Sequence, residues 1–188
     1  MGVTKDRIVC AVLSLLVAWM PLRAEGLSKS REAVKISSDV LLVAMPVATA
    51  TTMLVMKDWT GFKQAAFTGL TTLGTTYLLK FAVRKERPDH SNNLSFPSGH
   101  TSITFANAAF VQRRYGWAWG APAYALATYV GWARTYARRH DWWDVAAGAL
   151  IGAGSAYIYT RPFARDNKLV ISPVSDGTSF WVYASLVF

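Results

Sequence analysis

The sequence has one cysteine, Cys10, three histidines, His90, His100 and His140, and only 11 acidic residues among 188. A lone cysteine forms no internal disulfide and builds no zinc finger, so disulfide and Cys-rich metal scaffolds are excluded. Three histidines leave little room for a His-rich metal site. Charge of either sign is scarce: 16% of residues are charged, against about 25% in a typical soluble domain. Apolar residues fill the gap. Hydrophobic residues reach 52% and aromatics 13%, far too many for an intrinsically disordered chain. The mean hydropathy of +0.20 is modest for a protein made only of spanning helices. The expectation is one domain with a real core: an all-α, membrane-embedded bundle with a substantial polar portion.

The shortage of acids leaves 20 Lys and Arg against 11 Asp and Glu, a net charge of +9. This balance favours anionic partners such as anionic lipid or a phosphorylated substrate. Long apolar segments interrupt the basic residues, which argues against nucleic acid. Lys5 and Arg7, the apolar run Ile8–Met20 and Pro21-Leu22-Arg23-Ala24 read as a signal peptide over residues 1–24, or as an uncleaved signal anchor.

Five apolar segments follow: Val40–Met56, Phe62–Val83, Ser102–Val111, Trp117–Tyr136 and Val145–Tyr159. Crossing a bilayer takes about 20 residues; the first, second and fourth qualify in length. The third and fifth need tilting, burial or polar extensions. Gly and Ala in the fifth suit close helix contacts, and Thr71-Thr72 and Thr75-Thr76 offer bonds to neighbouring helices. A domain over 25–165 is expected to be followed by a tail, 166–188, in which Asp176-Gly177 between two β-prone runs predicts a hairpin.

If the segments alternate, Lys5 and Arg7 share one side with Lys57, Lys63, Arg113, Arg114, Arg161, Arg165 and Lys168. The positive-inside trend makes that side cytoplasmic. The opposite side receives the loops Arg84–Ser98 and Arg134–Asp144, which are also rich in arginine. That departure from the trend points to a local task.

Those two loops carry the chemistry. Lys80 and Arg87 are seven apart, so a continuing helix would place them on one face as an anion clamp; basic chains snorkelling at an interface explain them equally well. Ser98 suits a helix N-cap, and Gly99 lets a ligand approach the backbone, where free N–H groups favour phosphate. His100 adjoins them. Taken alone, this is an ordinary capped helix start. His140 and Asp144 are four apart, so a carboxylate can orient the imidazole and make it a nucleophile; a surface ion pair is the plainer account. Arg134 adds a third cation. Arg84, Lys85, Arg138 and Arg139 could guide an anionic substrate, but read more readily as headgroup or solvated charges, and His90 reads as a solvated loop residue. Trp142 and Trp143 could contact a lipid tail but read more readily as one interfacial anchor, and Trp117 and Trp119 as the opposite belt.

Together the pieces resemble the type 2 phosphatidic acid phosphatase (PAP2) superfamily. Its pattern KxxxxxxRP, PSGH and SRxxxxxHxxxD appears as Lys80…Arg87-Pro88, Pro97-Ser98-Gly99-His100 and Ala133-Arg134…His140…Asp144. One position departs: Ala133 replaces a serine, removing one hydroxyl from the pocket and neither histidine. The resemblance implies that His140 attacks phosphorus and forms a phosphohistidine, that Asp144 orients it, and that His100 protonates the leaving oxygen. Lys80, Arg87, Ser98, Gly99 and Arg134 would hold the phosphate oxygens. It implies no cofactor and no metal, since fixed cations neutralise the charge.

The expected substrate is a lipid phosphate or pyrophosphate of the undecaprenyl pyrophosphate, phosphatidylglycerol phosphate, phosphatidic acid or lipid A type. The expected location is a bacterial inner membrane, with the site facing the periplasm and membrane lipids as the other partners. The sequence is silent on oligomeric state. Three other readings are a periplasmic acid phosphatase on soluble esters, a lipid phosphotransferase, and a non-enzymatic protein binding anionic lipid.

Overall fold

The computed structural model describes residues 29–163 in full and the backbone of 168–175 and 180–187. The expected signal segment lies outside the described residues. Five helices form the body: α1 Lys29–Val55, α2 Trp59–Val83, α3 Gly99–Tyr115, α4 Trp117–Tyr136 and α5 Trp142–Tyr159. The all-α class rests on them. The short third and fifth segments are extended by polar turns, α3 back to Gly99 and α5 back to Trp142. The first begins well before its apolar run, at Lys29 instead of Val40. The backbone of β1 Lys168–Ser175 and β2 Phe180–Val187 pairs antiparallel, Lys168 opposite Val187 and Ser175 opposite Phe180; their side chains lie outside the described residues.

Helix α3 is the axis of the bundle and touches each of the other four. Small residues permit this: Thr101, Ser102, Thr104, Ala106, Ala108 and Ala109 are buried, and Phe110 is the large core side chain. Helix α5 approaches most closely. A methyl group on Gly152 would lie 2.1 Å from the Ser102 carbonyl oxygen, and one on Gly148 would lie 2.7 Å from that of Ser98. The small residues of the fifth segment thus make the contact expected of them.

Two ends are distinct. At one, Arg114 donates to both carboxylate oxygens of Asp58, Nε at 2.8 Å and Nη2 at 2.6 Å, and the Tyr115 hydroxyl adds a bond of 2.8 Å. Arg113 Nε reaches the Thr160 carbonyl at 2.8 Å. Lys57, Arg113, Arg114 and Arg161 share this end, as alternating segments require. The loops over residues 84–98 and 137–141 meet at the other.

Two expectations hold in part. Among the described residues, only α1 is long and apolar enough to cross a membrane by length and composition; α2 and α4 have the length without the apolarity, α2 because threonines and lysines interrupt it and α4 because tryptophans, tyrosines, Pro122 and Arg134 do. Of the α2 threonines, Thr71 does bond a neighbour, the Tyr159 hydroxyl at 3.1 Å. Thr72 and Thr76 are buried with hydroxyls that have no partner among the described residues.

Candidate active site

Lys80, in the last turn of α2, is buried and donates to the carbonyls of Leu94 at 2.8 Å, Ser95 at 3.5 Å and Pro97 at 2.6 Å. One ammonium therefore organises the loop that leads to Ser98. The expected helical partnership of Lys80 and Arg87 does not occur. Helix α2 stops at Val83, and Arg84 caps it in the left-handed region at φ 48°. Arg87 reaches the site from the loop, where its N–H bonds the Asn92 carbonyl at 2.9 Å. Its buried Nε has no hydrogen-bond partner among the described residues.

Ser98 is the N-cap of α3, as its sequence context predicted; its hydroxyl accepts from the Thr101 N–H. Gly99 opens the helix above Lys80: a methyl group there would lie 3.9 Å from Lys80 Cε. His100 Nε2 is 2.8 Å from Asp39 Oδ1, and Arg134 Nη1 donates to the same oxygen at 2.7 Å. Arg134 is buried, and its Nε has no partner among the described residues. Ala133 is fully buried in the same turn of α4.

His140 and Asp144 face each other for a reason other than the one expected. His140 lies before α5, whose N-cap is Asp141; a reciprocal capping box joins Asp141 and Asp144. His140 Nδ1 is 3.5 Å from Asp144 Oδ2, an ion-pair distance that is long for a hydrogen bond. Such contacts often tighten only when substrate is bound. Asp144 itself is firmly held. Lys85 donates to Oδ1 at 2.9 Å, the Asp141 N–H to Oδ2 at 3.1 Å, and the Ser95 hydroxyl also bonds Oδ2.

The electrostatics suit an anion. Burial pushes the His140 pKa down to about 4, and the charges of Arg134, Lys80 and Arg87 add to this against the pull of Asp144. His140 is thus neutral near pH 7, with a free electron pair on one ring nitrogen. Burial lowers the Arg87 pKa, and Arg139 nearby lowers it further. Three cations that stress one another in a buried space fit a phosphate group, whose oxygens satisfy guanidinium and ammonium donors.

The structure therefore gathers Lys80, Arg87, Ser98, Gly99, His100, Arg134, His140 and Asp144 at one end of the bundle. Four participants escaped the sequence reading. Lys85, read as a headgroup charge, instead bonds Asp141 and Asp144; these bonds outweigh burial and raise its pKa. Arg139, also read as a free charge, pairs with Asp89 at 2.7 Å. Ser95 lay between motifs, and Asp39 sat one residue before the apolar run on α1. That single acid at a span boundary was the only signal for Asp39. Arg84 and Arg138 are exposed, as is His90, which pairs with Glu86 at 2.7 Å.

The PAP2 superfamily pattern matches residues 41–168. The chain belongs to the PAP2 superfamily. A lipid A 4'-phosphatase from Helicobacter pylori (strain J99) is 33% identical over 174 residues, 87% of each chain. A lipid A 1-phosphatase from Porphyromonas gingivalis is 35% identical over 77 residues, 39% of this chain and 17% of the other. The crystal structure of Aquifex aeolicus LpxE superposes with a TM-score of 0.61 at 18% identity, covering 80% of this chain and 93% of that one, and so shares the fold. This PAP2 protein is accordingly a phosphatase of a family rich in lipid phosphatases. The matched stretch begins at Leu41, so Asp39 lies outside it.

Proposed function

We propose that this PAP2 phosphatase hydrolyses a phosphate monoester of a lipid of the lipid A type, without a metal, through a phosphohistidine on His140. One observation carries the reading: a buried neutral imidazole, backed by a fixed carboxylate, stands among Lys80, Arg87 and Arg134. Phosphoryl transfer asks for placement and charge neutralisation more than for covalent chemistry, and these cations supply both.

His140 attacks phosphorus, and the bond to the leaving oxygen breaks. His100 gives that oxygen a proton. Water then loses a proton to His100 as its oxygen attacks phosphorus, which frees His140 and releases inorganic phosphate. The Ser98 hydroxyl and the Gly99 N–H, at the start of α3, add donors and a favourable dipole for the phosphate oxygens.

A lipid substrate is supported by the 33% identical relative and by the surface around the site. Trp142 and Trp143 are 62% and 79% exposed beside His140. Below them Leu78, Leu150 and Ile158 present apolar side chains at more than 70% exposure. The basic far end supports an orientation with that end cytoplasmic and the site periplasmic in a bacterial inner membrane.

Phosphate release from lipid A, phosphatidylglycerol phosphate, phosphatidic acid and undecaprenyl pyrophosphate tests the reading, with detergent-purified protein in EDTA. Lipid A should be the best substrate, and His140→Ala should lower release about a thousandfold or more while inorganic phosphate still binds. Release that requires Mg²⁺, or that survives in His140→Ala, would refute the mechanism. Preference for a soluble ester over every lipid would refute the substrate class.

A further inference from the structure

The carboxylate of Asp39 stands outside the stretch matched by the family pattern, yet it meets two of the groups that the mechanism uses. Its Oδ1 lies 2.8 Å from His100 Nε2 and 2.7 Å from Arg134 Nη1. Its Oδ2 accepts from Lys35 at 3.0 Å. The neighbouring Ser38 is fully buried, with its hydroxyl 3.3 Å from Arg134 Nη1. Helix α1 is thus more than a membrane stave; it brings an anion into the cationic site.

We propose that Asp39 is a positioning residue for the leaving-group side of the reaction, holding the His100 imidazolium by its Nε2–H so that the proton it delivers is the one on Nδ1. This rests on the mechanism proposed above. A carboxylate 2.8 Å from Nε2 accepts the hydrogen bond of that N–H, so in the imidazolium the proton free to travel is the one on Nδ1. When His140 forms its bond to phosphorus, the ester P–O bond breaks and the departing oxygen takes the Nδ1 proton. His100 is left neutral, with its Nε2–H still donated to Asp39. In the hydrolytic step Nδ1 recovers a proton from the attacking water. Asp39 stays ionised throughout.

The site then has two His–carboxylate pairs, His140–Asp144 for the nucleophile and His100–Asp39 for the proton. They are held differently. Asp144 is anchored by three groups of the loop and the α5 start, whereas Asp39 is anchored by the two groups it positions and by Lys35. The shared oxygen also links tasks: the guanidinium that grips phosphate is steadied by the same atom that orients the acid.

A mere structural role would affect every substrate equally, so the test compares leaving groups in a single turnover. The probes are a long-chain alkyl phosphate, whose alkoxide leaves only when protonated, and a nitrophenyl phosphate carrying the same chain, whose phenolate leaves without a proton. Asp39→Asn should slow single-turnover cleavage of the alkyl ester about a hundredfold, within the range of general-acid catalysis, and that of the nitrophenyl ester about threefold or less. Asp39→Glu should recover part of the alkyl activity. In a His100→Ala background, Asp39→Asn should cost less than about twofold more, because the two act as one unit.

Equal losses on both esters, or a full additional loss in the His100→Ala background, would overturn the inference and leave the phosphatase mechanism standing. The His100→Ala comparison keeps this decision available should Asp39→Asn fold poorly, since His100→Ala with Asp39→Glu reads the same coupling. Failure of the native enzyme on both esters would instead overturn the mechanism of the preceding subsection.

Discussion

The backbone N–H of Ser98 donates to the carbonyl oxygen of Asp144 at 2.9 Å. This bond joins the start of α3, where phosphate is expected to rest, to the first turn of α5, which carries the carboxylate behind His140. Two motifs far apart in the chain are thereby one rigid unit. The glycines of α5 allow it, because any side chain at Gly148 would strike the Ser98 carbonyl.

Substitution at Gly152 tests that unit. A methyl group 2.1 Å from the Ser102 carbonyl and 2.7 Å from the Ala106 nitrogen meets backbone, which cannot rotate away. Gly152→Ala should cost roughly 1–3 kcal/mol of stability, the range of overpacked cores. Thermal unfolding in detergent measures it, and Gly154→Ala, which meets nothing within 4 Å, serves as the neutral control.

The pH dependence follows from His140. Its pKa is pushed down to about 4 by burial and by Arg134, Lys80 and Arg87, against an ordinary value near 6.5. In the proposed mechanism the imidazole attacks only when neutral, so the acid limb of kcat/KM, which reports the free enzyme, should lie well below the ordinary value of about pH 6.5, near pH 4. Arg87→Gln removes one of the charges that lower this pKa and should move the limb upward. The same shift bears on stability. A depressed histidine pKa gives a contribution that is whole above about pH 6.5 and is lost as pH falls toward about 4. Rate profiles of the native and Arg87→Gln proteins between about pH 4 and 8 decide the matter.

Lys80 holds three loop carbonyls and, in the proposed mechanism, also faces the phosphate. Lys80→Met removes both while keeping the bulk of the chain. Hydrogen exchange should rise at residues 94–98, and phosphate affinity should fall about tenfold or more, the scale of one lost charged hydrogen bond. Unchanged exchange in the loop would show that Lys80 does not organise it.

The clasp at the far end makes a complementary prediction. Asp58 and Arg114 are buried and doubly bonded. Removing one partner of such a pair strands a charge and costs about 3–5 kcal/mol. Asp58→Ala should lower the melting temperature strongly, while the protein that remains folded turns over at the native rate.

Much of this site was legible because the chemistry is carried by residue types at fixed spacing. Ser98 as an N-cap, Gly99 beside it and Asp144 four residues after His140 are local features. Their geometry depends on a few neighbouring dihedrals, which sequence states directly. The shared face of Lys80 and Arg87 was misread because a left-handed cap at Arg84 ends α2 early, and arginine gives no sign that it will adopt that conformation. Lys85, Ser95 and Asp39 were missed for another reason. Their partners, Asp144, Asp144 and His100, lie 59, 49 and 61 positions away, and only the packing of the bundle brings them together. A basic residue near a membrane surface looks like a headgroup ligand until its carboxylate partner is known.

The contact of α3 and α5 at Gly152 has a mechanical consequence. Carbonyl against helix backbone is nearly incompressible, so the spacing between the helix carrying His100 and the one following His140 resists squeezing from the surroundings. A change of bilayer thickness or lateral pressure would be absorbed at the looser staves. Of these, α1 is the one that reaches His100, through Asp39. In the mechanism proposed above, and with the bundle set in a membrane, tension would therefore register first in proton delivery to the leaving group, with the attack on phosphorus left undisturbed.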